Sequence, residues 1–322
     1  MKTLSLFAGL LILLAGVPAF AGGSPSGKYF GETPPGTEAV IFAPGFVSTQ
    51  HHDDMFPVFS PDGREVIFRI NGKSGGEMIA VLYITRTDDS GVWSTPEPLP
   101  FLTRHMNGGA SFTPDGSRIY FTTKRPPADE SEAEPRSRLW CADRTSDGWG
   151  EARPVDTPIN EFNLNGGCFV SADGTMYASF VGPGRDQHDI YELPRVDGGY
   201  PGYRALPDQI NTLDREVAPF WNADAGYLIY TAVVGSSIQI RISFLGSNGN
   251  GSPSGQVEEL VEPEAKFVRT SPDGRYLFFV SHKQTPQSNP PAMWKIDKFD
   301  APAMDECADI YWMEAGFVTD RY

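Results

Sequence analysis

A four-residue turn recurs five times along this chain, and it constrains the fold more than any other feature. It reads Ser60-Pro61-Asp62-Gly63, Thr113-Pro114-Asp115-Gly116, Ser171-Ala172-Asp173-Gly174, Asn222-Ala223-Asp224-Ala225 and Ser271-Pro272-Asp273-Gly274. Successive aspartates lie 53, 58, 51 and 49 residues apart. A repeat of about 50 residues is the signature of a propeller or a related repeat architecture. Pro, present in three copies, pre-sets φ at the second turn position; Asp, present in all five, accepts from nearby amides; and Gly, present in four, supplies the left-handed residue.

Short β-prone runs flank each turn, such as Phe56 to Phe59 and Glu65 to Ile70, so each copy encodes a hairpin. Four residues beyond each aspartate stand Val66, Ile119, Tyr177, Leu228 and Leu277; six beyond stand Phe68, Phe121, Ser179, Tyr230 and Phe279. Positions two apart share one strand face, which makes this a repeated buried face. Ser179 alone breaks it, and the shift to Phe180 predicts a slip or bulge in the third unit. A third strand follows in each unit (Ala80 to Thr85, Arg138 to Asp143, Asp189 to Leu193, Ile238 to Phe244). A looser, proline-bearing fourth comes next (Trp93 to Leu99, Trp149 to Val155, Tyr203 to Leu206, Val257 to Val261), as suits an edge strand.

The expectation is an all-β propeller of five four-stranded blades. The fifth unit ends at Asp309-Ile310-Tyr311-Trp312 without an obvious fourth strand, while Glu38 to Pro44 precedes the first unit as an unpaired strand-like run. The N-terminal strand is therefore predicted to complete the last blade and close the ring. A sixth blade stays open, because Asn289 to Cys307 is an insertion containing the strand-like Ala292 to Ile296.

Lys2, the apolar run Leu4 to Val17 and Ala19-Phe20-Ala21 have the anatomy of a secretory signal over residues 1–21, leaving 22–322 as one propeller domain. The apolar run is shorter than the roughly 20 residues needed to span a bilayer. The expected location is periplasmic or extracellular. The net charge of −15, without a basic cluster, argues against nucleic acid and anionic membranes as partners. Three cysteines are an odd number for an exported chain; Cys141 and Cys168 fall in neighbouring units, where pairing is open.

The Phe59-Ser60-Pro61-Asp62-Gly63 pattern and its copies resemble the TolB-type, WD-like β-propeller repeat over nearly the whole chain beyond the leader. Tyr29 to Gly36, Phe42 to Gly45 and Asp309 to Trp312 are similar to a group of exported single-propeller bacterial proteins, mostly of undefined role. The resemblance implies a monomeric propeller alone. The chain lacks both the separate α/β domain of TolB and the G-x-S-x-G elbow of prolyl-oligopeptidase-like hydrolases. Such blades serve scaffolding, peptide binding and enzymes alike, so the resemblance speaks to fold more than function.

The aspartates also serve as a ruler. Eight residues back lie Asp54, Asn107, Asn165, Glu216 and Ala265; ten back lie His52, His105, Asn163, Asp214 and Pro263. These positions fall at the channel mouth opposite the turns. Carboxylates and amides there suit a hard divalent cation, and the imidazoles a transition metal. The same groups suit a sugar or peptide, and Asp54 with Glu216 suits acid–base cleavage of a glycoside. The plainer alternative is that these side chains bond their own connecting loops. The glycine pairs at 108–109 and 166–167 are read as products of crowding where strands converge. With no Ser-His-Asp set, phosphate loop or nucleotide fingerprint, the sequence favours a scaffold for a protein or carbohydrate ligand over an enzyme. A carbohydrate-active hydrolase or lyase, or a structural metal, remains the alternative.

Overall fold

The computed structural model describes residues 24–318 apart from 50–51, 103–104, 129–135, 224, 245–254, 258–259, 261–264, 283–291, 297, 300, 303–306 and 317. The leader expectation, Asp224 and Pro263 therefore lie outside the described residues. The chain forms five antiparallel blades arranged in a ring. Their inner strands are Asp53–Phe59, Asn107–Phe112, Leu164–Val170, Arg215–Asn222 and Lys266–Thr270. Among the described residues no helix is long and apolar enough to cross a membrane.

The turn chemistry holds as read. Ser60, Thr113, Ser171 and Ser271 each donate their hydroxyl to the turn aspartate, which also accepts the amide of the second residue after it. Gly63, Gly116, Gly174 and Gly274 have φ between 68° and 85°, as the turn requires. The third hairpin is one residue tighter: Ser171 N–H bonds the Thr175 carbonyl, whereas Ser60 reaches Glu65 and Thr113 reaches Arg118. That lost residue shifts the buried face of the next strand to Met176, Ala178 and Phe180, which explains why Ser179 fell out of phase. The slip lies in the turn, since the second and third strands of that blade pair without interruption.

Outer strands are short and two carry proline: Pro98 opposite Tyr83, and Pro154 opposite Trp140. On a sheet edge a missing N–H breaks no ladder bond. Val40–Ile41 pairs with Asp309–Glu314 as the fourth strand of the last blade, so the ring closes through the N-terminal strand. The segment before it seals the joint. Phe30 packs between Phe42, Phe46 and Trp93; Tyr29 packs against Phe59, Tyr276 and Trp312, and its hydroxyl donates to Asp273. Burying each such ring contributes about 1.5–3 kcal/mol.

The sixth blade left open by the sequence does not form among the described residues. Residues 292–296 contain no strand; Trp294 packs on Phe68 and Tyr83 and donates to the Phe46 carbonyl. The backbone at 301–302 instead adds to the second strand of blade 1. Cys141 and Cys168 share a buried cluster as free thiols.

Candidate functional site

Every inner strand carries a bulge, within one residue of the same distance from its turn. Registers jump between Met55 and Val58, Asn107 and Ala110, Asn165 and Cys168, Val217 and Phe220, and Lys266 and Arg269. Phe56, Ala218 and Phe267 take φ of 53°, 54° and 62° there, and Gly166 and Gly167 take 76° and 85°. The bulges meet at the axis. A Cβ on Gly167 would lie 2.7 Å from Gly109 Cα, and one on Gly109 would lie 2.8 Å from the Phe56 ring. Phe56 stacks on Phe267 at 4.2 Å, with the Arg69 guanidinium 4.7 Å over the Phe56 ring. Crowding is thus the reason for both glycine pairs, and the residues form a packed neck. It separates the mouth at the start of the inner strands from the mouth at the turns.

At the start of the strands, Asp54 and Glu216 bond their own loops, and Asn107 and Asn163 the preceding blade. Asp54 is fully buried and accepts from Thr49 N–H at 2.6 Å and Thr49 Oγ1 at 3.1 Å. Burial, helped by the nearby charge of Asp309, pushes its carboxyl well above the usual range. Glu216 is equally buried and accepts from Thr212 Oγ1 at 2.6 Å, while its second oxygen has no partner among the described residues. Its carboxyl too is raised by burial, with the charges of Asp189 and Asp214 adding to the effect.

The amides at this end also bind backbone. Asn107 Nδ2 donates to the carbonyls of Ala80 and His105, and Asn163 Oδ1 accepts the Ser137 amide of the preceding blade. The half-buried Asn165 gives its main-chain carbonyl to Ser179 Oγ. His52 lies beside Thr49 Oγ1 and Phe299, half-buried like His105. Asp214 faces Thr212 and, at 3.5 Å, Arg241. Among the described residues no group of three or more His, Cys, Asp or Glu could hold a metal ion.

The turn side is different. The ends of all five inner strands, with their turns, enclose a cavity of about 830 Å³. Its exposed rim includes Pro61, Pro114, Ala172 and Pro272, and below lie Phe59, Phe112, Phe169, Phe220 and Trp221. Hydroxyls of Ser111, Thr270 and Ser271 are interspersed. Two charged side chains sit in this wall among the described residues: Asp273 at the rim and Arg269, 4% exposed.

Sequence reasoning passed over Arg269. Four residues back from the aspartates stand Val58, Ser111, Phe169, Phe220 and Arg269, so a lone cation at an otherwise uncharged position was the available signal. It also passed over Asn160 and Asn211, thirteen residues before their aspartates. Asn160 exchanges bonds with the Leu139 backbone of the preceding blade, and Asn211 does the same with Ile190. His188 is half-buried, and burial beside Arg215 lowers its pKa to about 4.

No family model matches the chain, and no curated protein matches it. Solved structures do. A candidate TolB from Agrobacterium tumefaciens is 17% identical, with 82% of this chain and 90% of that chain covered and a TM-score of 0.48. A nidogen/laminin complex is 15% identical over 71% of this chain and 72% of that chain, with a TM-score of 0.45. A puromycin hydrolase is 16% identical over 75% of this chain but only 35% of its own, with a TM-score of 0.40. The five blades themselves show a β-propeller.

Proposed function

We propose that this protein is an exported binding scaffold that holds a protein segment or small ligand in the funnel on the turn side of its channel. The observation that carries the reading is the funnel itself: all five blades contribute to it, and its wall is rich in aromatic side chains. Sites of about 300–1,000 Å³ with apolar walls and a few polar groups are the usual form of ligand pockets. Export rests on the leader-like residues 1–21 of the sequence.

Binding is favoured over catalysis because the two carboxylates best placed for acid–base work, Asp54 and Glu216, are buried and bonded to threonines of their own loops. A glycoside-cleaving pair needs both carboxyls exposed to substrate across an open cleft. Selection from a random peptide library displayed against the folded chain tests the reading. Selected ligands are expected to bind Trp221→Ala at least tenfold more weakly and Asn163→Ala unchanged. Ligands that respond to Asn163→Ala and ignore Trp221→Ala would move the site to the other mouth.

A further inference from the structure

A buried charge lies in the wall of this funnel. Arg269 Nη1 donates to the Val268 carbonyl at 2.8 Å, while Nη2 is buried and has no partner among the described residues. The group that most affects its charge is Cys168, itself a neutral thiol whose pKa burial pushes up to about 12. Asp273, the carboxylate in the same lining, is committed to Lys28, Tyr29 and Ser271. Burial without a counter-charge draws the guanidinium down to about 10, still far above neutrality, so it stays protonated.

The contrast with Arg69 at the axis is instructive. Arg69 uses Nη1 on the Asn107 carbonyl and Nη2 on Met55 Sδ, lies over Phe56, and feels the charge of Asp53. Of its nitrogens only Nε lacks a partner among the described residues. Arg269 has an aromatic-walled cavity beside it, and the carboxylate in that lining, Asp273, is bonded elsewhere. A buried charge left unpaired is strongly unfavourable, and a chain with a net charge of −15 has many carboxylates from which a partner could have been placed. Arginine is also the side chain whose planar fork best matches an oxyanion.

We infer that the funnel takes an apolar ligand bearing one compact oxyanion, a carboxylate or a phosphate, with Arg269 as its charge receptor and the Phe169, Phe220 and Trp221 wall as its apolar seat. The inference rests on the funnel being the binding site. Ser111 and Thr270 flank the receptor in the same lining.

Calorimetric titration of the full chain with 3-phenylpropionate, phenyl phosphate and the uncharged 3-phenyl-1-propanol tests it. At least one acid is expected to bind tenfold or more tighter than the alcohol, and the comparison of the two acids assigns carboxylate or phosphate. Arg269→Met keeps length and removes charge, and is expected to bring acid and alcohol within twofold of each other. Acid and alcohol within twofold on the unmodified chain would overturn the inference, as would failure of both acids to bind or a tenfold preference surviving Arg269→Met. If Arg269→Met does not fold, the acid-to-alcohol ratio on the unmodified chain still decides. An absent preference alongside peptide ligands that depend on Trp221 would leave the funnel standing and remove only the oxyanion receptor.

Discussion

Asp54 and Glu216 show how one residue type serves opposite ends in this fold. Both carboxyls are buried and raised, so folding favours their protonated forms. The stability they lend is fully present below the ordinary carboxylate range and is lost as pH rises through their raised folded values. The turn aspartates run the other way. The Thr113 hydroxyl and the Ser117 amide hold Asp115 down to about 2, so its contribution is present above the ordinary range and lost as pH falls. Asp54→Asn should therefore gain on the unmodified chain as pH rises from 4 to 8, measured by denaturant midpoints. A difference independent of pH would refute the buried, raised carboxyl. Asp54→Ala, which removes the acceptor of both Thr49 bonds, should cost about 1–3 kcal/mol at pH 7. At this scale the sequence was half legible. Counting back from the turns correctly aligned Asp54, Asn107 and Glu216 on equivalent strand starts. It could not reveal that Thr49, Ala80 and Thr212 already occupy them, because those bonds come from loops and a neighbouring blade that carry no repeat.

The elements that decide the architecture are the inner-strand bulge and the closing N-terminal strand. The bulges crowd the axis so tightly that Gly167→Ala has nowhere to go: its Cβ would meet Gly109 backbone, and φ is +85°. A loss of about 2–4 kcal/mol is expected in equilibrium unfolding, against a smaller loss of about 1 kcal/mol, from backbone strain alone, for Gly198→Ala, where φ is similar and no atom lies within 4 Å. Equal losses at both sites would place the effect in backbone conformation alone. Removing residues 24–45 takes Tyr29, Phe30 and Phe42 from the core and bares the Asp309–Glu314 edge. The expected cost is on the order of 5 kcal/mol with increased aggregation, read by urea unfolding and light scattering. Closure was legible because an unpaired strand at one end matched a missing strand at the other. The bulge was not, since Phe56, Gly109, Gly167, Ala218 and Phe267 have no residue type in common. What they share is a place at the crowded axis.

Across the whole molecule, the neck makes the two mouths unequal. One is built from side chains that hold blades together; the other is an aromatic funnel with an unpaired cation in its wall. The repeat that made the fold readable also concealed this difference. A propeller motif marks where the strands turn, while the funnel is defined by what departs from the repeat, Arg269 foremost. The central claim is that ligand enters on the turn side. Hydrogen–deuterium exchange with a library-selected ligand tests it most directly. Protection is predicted at 58–61, 111–114, 169–172, 220–223 and 269–274, with exchange unchanged at 52–54, 105–107, 163–165 and 214–216. Protection confined to the second set would contradict the account.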